Sequence, residues 1–280
     1  KSSDVSILTP HRFVPRRIKQ MGFTQAPDPV LWCVCDDGKL LGMTYVPEQQ
    51  VYGWHYHGTL DGDFSSVCSV TEDYNDVLYM VAARTVDGRS VKYIERMPPR
   101  HFDEQEDAFF VDSGLTYSGT ATGSVSGAHH LRGKTVAILA DGAVVSSVVV
   151  GDDGSITLPE GKTASTITYG IAMTSRFTTL PLAIEQALAY GTANVKNVNK
   201  VFMRVLDSSV ISAGPSFDKL REYPARAVTD PYGSPPGLRT TTIELPIDGA
   251  WARDGVVCVE QALPLPLSVL SMVLEVSTGG

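Results

Sequence analysis

Long hydrophobic runs are scarce in this 280-residue chain, although 43% of its residues are hydrophobic. No apolar stretch reaches the roughly 18 residues that a membrane-spanning helix requires. Even residues 144–150 are interrupted by Ser146 and Ser147. Clustered basic charge is equally scarce. The 23 Lys and Arg are outnumbered by 31 Asp and Glu, the net charge is -8, and no basic run exceeds the pair Arg16-Arg17. A chain of this kind has no electrostatic footprint for gripping a phosphate backbone, which argues against tight nucleic-acid binding. Cysteine is sparse: the four are Cys33, Cys35, Cys68 and Cys258. Such usage suits a reducing compartment. Cys33 and Cys35, two apart in a strand, fall on one face and read as small buried residues. A Cys-x-Cys metal or redox site is the alternative, but zinc asks for four ligands and there is no second pair.

Catalytic signatures are missing too. There is no phosphate-binding Gly-x-x-x-x-Gly-Lys-Ser/Thr loop, no Gly-x-Ser-x-Gly elbow and no His-Glu-x-x-His pair, and residues 119–127 lack the strand-then-helix frame of a dinucleotide fingerprint. Helical periodicity is weak. One short helix is expected within residues 4–21 and another over 182–190, opened by Pro181 and stopped by Gly191.

Asp-Gly, by contrast, is abundant. It occurs at Asp37-Gly38, Asp61-Gly62, Asp87-Gly88, Asp141-Gly142, Asp153-Gly154, Asp248-Gly249 and Asp254-Gly255. The dipeptide accepts the positive φ angles of tight hairpin turns. Where it separates apolar or alternating runs it predicts three antiparallel hairpins: 30–35 with 39–46, 77–85 with 90–97, and 136–140 with 143–150. Val30-Leu31-Trp32 recurs as Val77-Leu78-Tyr79, 47 positions later, each followed by an Asp-Gly turn and a returning strand that carries a tyrosine. A period near 50 with aromatic-rich hairpins is the spacing of propeller blades, and also of any β-meander.

Composition changes at Pro98-Pro99-Arg100 and the acidic stretch Asp103-Glu104-Gln105-Glu106-Asp107, which reads as a solvated connector. The expected class is therefore mainly β, with few short helices. Residues 1–105 would form propeller-like hairpins, the Gly/Ser/Thr/Val-rich 106–180 an inserted small β-barrel or sandwich, and 181–280 a further β region completing the main body. Residues 230–237, rich in Pro and Gly, form a long turn-forming excursion. The start at Lys1 rather than Met, with no signal-peptide pattern, reads as a piece cut from a longer polypeptide.

The best constellation for chemistry is Trp54-His55-Tyr56-His57 with Glu48, Asp61 and Asp63 nearby. In a strand, His55 and His57 share a face and could hold a metal or act as acid and base. Paired carboxylates beside Trp54 would suit glycoside hydrolysis. The plainer readings are a packed strand for the histidines, without further ligands, and a turn for Asp61-Gly62-Asp63. His129-His130 reads as polar surface. Arg96 and Arg100, on either side of a Pro pair, read as a salt-bridged joint or an anion site. No catalytic, cofactor-binding or metal-binding residue is assigned from these patterns.

The run Leu40-Leu41-Gly42-Met43-Thr44-Tyr45, followed by Glu48-Gln49-Gln50-Val51-Tyr52-Gly53-Trp54-His55-Tyr56-His57, resembles the nozzle (tail tubular B-type) proteins of podovirus-like phages and prophages. Further matches are Asp61-Gly62-Asp63-Phe64-Ser65-Ser66-Val67, Tyr93-Ile94-Glu95-Arg96, residues 109–117, Leu180-Pro181-Leu182, Gly214-Pro215-Ser216-Phe217-Asp218 and the closing 261–270, so the resemblance runs nearly end to end. It implies a propeller-like body with an FCCH-like insert at about 108–179, no catalytic residues and no cofactor. It further implies a virion-tail protein, assembled in the bacterial cytoplasm, that forms a ring of copies, six in such families. That ring would sit beneath an adaptor protein and pass DNA without holding it. A carbohydrate- or receptor-binding module of a phage tail is the alternative, with Trp54, Tyr56, Tyr232 and Trp251 as stacking aromatics.

Overall fold

The computed structural model describes residues 4–7, 9–183, 194–224, 226–228, 230–249 and 251–279. Among the described residues the fold is mostly β, with 56% in strands and 6% in helix, arranged as several antiparallel sheets with no closed barrel. The chain divides into two compact units, Lys1–His101 with His130–Arg132, and Phe102–His129 with Gly133–Gly280.

In the first unit, each strand pairs with its neighbour in sequence. Strands β1 (Ile18–Thr24), β2 (Val30–Cys35), β3 (Leu40–Val46) and β4 (Val51–His57) make one four-stranded meander, and β5 (Gly62–Glu72), β6 (Asn75–Val86) and β7 (Arg89–Arg96) a three-stranded one. Two of the predicted hairpins lie here. Val34 pairs Leu40 around Gly38 (φ 76°), and Val86 pairs Arg89 around Asp87 and Gly88, whose φ values of 48° and 72° suit a tight right-twisting turn. A third tight turn, Asp73-Tyr74, joins β5 to β6 with φ of 47° and 68° but contains no glycine. The short helix expected within 4–21 is the single turn α1 (Pro10–Phe13).

The two meanders pack face to face. Val30, Trp32, Val34 and Leu40 of the first pack on Phe64, Val67, Leu78, Met80 and Ala82 of the second. Alternation along a strand sends the intervening residues to the opposite face, where Cys33, Cys35 and Leu41 are also buried. The first sheet is thus apolar on both faces, because Val30-Leu31-Trp32-Cys33-Val34-Cys35 has no polar alternate. Its second face is covered in part by α1, with Phe13 edge-on to Trp54 at a centroid distance of 4.8 Å.

The second unit pairs distant segments. Strands β8 (Val111–Thr122), β10 (Thr135–Ala140), β11 (Ala143–Val149) and β13 (Ala164–Ala172) form a sheet in the order β11-β10-β13-β8, while β9 (Ser124–Val125) pairs β12 (Ile156–Thr157). The Gly142 hairpin is present between β10 and β11, with Asp141 and Gly142 at φ 45° and 76°. The sheet is open rather than a barrel. Beyond it, β14 (Ser175–Thr178), β16 (Ile211–Ser216), β17 (Lys219–Tyr223) and β19 (Cys258–Gln261) form the sheet β14-β19-β16-β17. Strands β15 (Lys196–Ser208), β18 (Arg239–Pro246) and β20 (Ser268–Thr278) form the sheet β18-β15-β20. Val201, Met203, Val205 and Ile243 from the second of these pack with Ile211, Ala213 and Val259 from the first, in a sandwich core. A smaller cluster of Ala108, Leu139, Val210 and Leu265 draws together segments from before and after residue 180 within this unit. Most of the second expected helix, 182–190, lies outside the described residues.

Candidate functional site

The β3–β4 register sets the geometry around the two histidines. Gly42 pairs His55 and Leu40 pairs His57, so both imidazoles project to the face that carries Trp32 and the inter-sheet core. His55 Nδ1 and His57 Nε2 are 2.7 Å apart, one donating and the other accepting according to tautomer. The rings stand 5.8 and 5.0 Å from Trp32, centroid to centroid. Trp32 is itself oriented by its Nε1–H donating to Thr24 Oγ1 at 3.1 Å. His55 lies across Gly42 so closely that a β-carbon at position 42 would fall 2.1 Å from Cε1. Burial, then the neighbouring His55 and Arg100, pushes the His57 pKa down to about 4. Burial and the Arg100 guanidinium lower that of His55 as well. At neutral pH the pair is uncharged and its facing nitrogens satisfy each other.

The other members of the sequence constellation do not converge on this pair. Trp54 points to the opposite face, where its Nε1–H donates to the Val5 carbonyl at 2.9 Å. Tyr56 shares that face, with the Arg12 guanidinium 5.8 Å from its ring centre. Glu48 is exposed on the turn Pro47–Gln49. Asp61 occupies a left-handed turn position (φ 53°), and Asp63 packs against Gly38 in the β2–β3 turn. Among the described residues no group of three or more His, Cys, Asp or Glu side chains is placed to hold a metal ion. Cys33 and Cys35 are buried, and burial, with Cys35 alongside, raises the Cys33 thiol to about 11, far from a reactive thiolate at neutral pH.

The remaining candidates are structural in their contacts. Arg96 pairs with Glu72 at 2.8 Å, and Arg100 with Asp28 at 2.5 Å. His129 and His130 lie on the turn His129–Leu131, with His129 against Gly154. Asp103, Glu104, Glu106 and Asp107 are all exposed around the turn Gln105–Asp107, which Gln105 anchors by donating to the Gly142 carbonyl at 2.7 Å. In the 230–237 excursion Tyr232 is fully exposed, and Arg226 ties the loop by donating to the Pro231 and Ser234 carbonyls.

Two features escaped the sequence patterns. One is the dependence of the histidine pair on Gly42, which a glycine opposite a histidine signals only once the register is known. The other is a groove of about 460 Å³ in the second unit, lined by Phe110, Phe177, Leu267, Val269 and Met272, between the edge strands β14 and β20. It is built from segments some 160 residues apart in sequence, so no local motif announces it. In comparison with known proteins, no family model matches the chain, and no curated protein is detectably similar to it.

Proposed function

We propose that this chain is a structural, non-catalytic part of a bacteriophage or prophage tail, a nozzle protein that lines part of the DNA exit channel as a ring of copies beneath an adaptor. The observation that carries this reading is how the residues of the nozzle-like run 40–57 are used. Leu40 and Gly42 build the inter-sheet core and its histidine pair, while Leu41 and Trp54 build the opposite face. That run serves as framework, as befits a load-carrying shell part. The stacked antiparallel meanders and the excess of acidic residues agree with it, since a wall of net charge -8 gives passing DNA few cations to bind. Imaging the full-length protein with its upstream tail partner provides the test. Rings with an axial channel, and the protein in purified virions, are the expected result. A full-length protein that stays monomeric with that partner, and is missing from virions, overturns the reading.

A glycan-binding module is the second reading, favoured by one observation. Tyr45, Tyr52 and Tyr56 lie on one face of β3–β4, about 40% exposed, with the first two rings 5.7 Å apart. Saturable binding on a glycan array, lost in Tyr52→Ala, would select this reading over the first.

A further inference from the structure

We propose that the His55–His57 hydrogen bond is an acid-labile latch that holds edge strand β4 on its sheet, and that acidification frees β4 and uncovers the pairing edge of β3. A 2.7 Å nitrogen–nitrogen contact requires one N–H and one bare ring nitrogen. Once both rings are imidazolium, every ring nitrogen is a donor, and the contact becomes N–H against N–H between two positive charges in a half-buried site. The site is closely walled: His55 lies across the bare Cα of Gly42, and Trp32, oriented by Thr24, stands 5.8 and 5.0 Å from the two rings.

The groups facing the pair offer no relief. Thr24 on β1, Trp32 on β2, and Leu40 and Gly42 on β3 carry no charge. The cation acting on both rings is Arg100, from the segment after β7, and it too disfavours imidazolium. Arg100 is itself engaged by Asp28 in the β1–β2 turn at 2.5 Å, and no carboxylate is seen to act on either ring among the described residues. Strand β4 is at an edge of its sheet, and among the described residues its strand partner is β3 alone. Its other side-chain contacts are Trp54, held by Phe13 and the Val5 carbonyl, and the more exposed Tyr52 and Tyr56, against Tyr45 and Arg12. Released, it would expose seven β3 residues' worth of strand edge, a template for pairing with another strand.

The test is hydrogen exchange of the whole chain at pH 7.0 and 4.5, corrected for intrinsic rates, with peptides covering 51–57 compared against those covering 30–35. An NMR titration of the histidine Cε1–Hε1 signals accompanies it. The expected result is exchange in β4 accelerated at least about tenfold relative to β2 at the lower pH, the response to one unit of pKa displacement. His57→Gln, which retains a neutral hydrogen-bonding side chain, should remove most of that acceleration. If this variant does not fold, the wild-type titration decides alone. Both histidines titrating near 6.5, or β4 exchange tracking β2 at both pH values, would overturn the latch.

Discussion

The two units solve the same problem, burying antiparallel sheets, with opposite uses of the chain. In the first, the strand orders β1-β2-β3-β4 and β5-β6-β7 follow the sequence, and each partner is reached through a short turn. In the second, Ser175 pairs Gln261 and Lys196 pairs Thr278, so two of its sheets wait for residues more than 80 positions away, and Ala172 pairs Val111 across 61 positions in a third. Closing such loops costs conformational entropy before any contact repays it. The sequential unit can therefore afford weak turns, whereas the long-range unit depends on close backbone approach at a few places. Substitutions that respect or violate this difference should separate the two.

The largest effect should come from Gly214→Ala in the second unit. A β-carbon there would lie 1.9 Å from the Lys219 carbonyl oxygen, in backbone that the β16–β17 hairpin cannot easily move. A loss of about 3 kcal/mol or more is expected, read as a lowered denaturation midpoint for this unit's signals with the first unit's unchanged. A single shared transition that shifts as a whole would show that the units unfold together and erase the comparison.

Next is Glu95→Ala in the first unit. Glu95 clamps Arg84 with two hydrogen bonds of 2.6 and 2.8 Å across β6 and β7, and Arg84 also donates to the Leu60 carbonyl at the entry to β5. The Arg84 side chain is only 5% exposed. Removing the carboxylate takes two charge-assisted hydrogen bonds from a buried guanidinium, at a cost of about 3 kcal/mol. Urea denaturation of the variant checks this, and a change below about 1 kcal/mol would place the clamp among ordinary surface pairs.

Acid should weaken the first unit through His57. Its folded-state pKa of about 4 lies below the ordinary 6.5, so the unfolded chain binds the proton more readily. The stability that comes from keeping this ring neutral is complete above about pH 6.5 and declines as pH falls toward 4, by roughly 3 kcal/mol at most. Thermal melts across that window should show the loss in the first unit, and His57→Gln should flatten it.

The smallest effect is a gain. Tyr74 holds φ 68° in the β5–β6 turn with its side chain 96% exposed, so it bears left-handed strain and buries almost nothing. Tyr74→Gly should stabilise the first unit by about 1 kcal/mol. A loss on melting would mean that the ring has a contact in solution.

How much was legible follows the same division. The Gly38, Gly88 and Gly142 hairpins were readable because Asp-Gly between apolar runs carries its own backbone preference. The Asp73-Tyr74 hairpin was not, since its residues adopt the left-handed conformation under the pull of ten cross-strand pairs rather than by preference. The histidines were legible as two residues on one strand face. Their direct hydrogen bond, and the dispersal of Glu48, Asp61 and Asp63 away from them, required the register with β3 and the turn into β5.

The sequence by itself determined the class of structure, the placement of the Gly38, Gly88 and Gly142 turns, and the burial of Cys33 and Cys35 on one strand face. Those properties reside in residue type and period-two alternation, which act over a few residues. Only the tertiary structure decided which strands meet in the second unit, where its groove opens, and that Gly42, Trp32 and Thr24 fix two histidines within hydrogen-bonding distance. Such outcomes depend on the summed packing of segments far apart in the chain, and no local pattern encodes that sum.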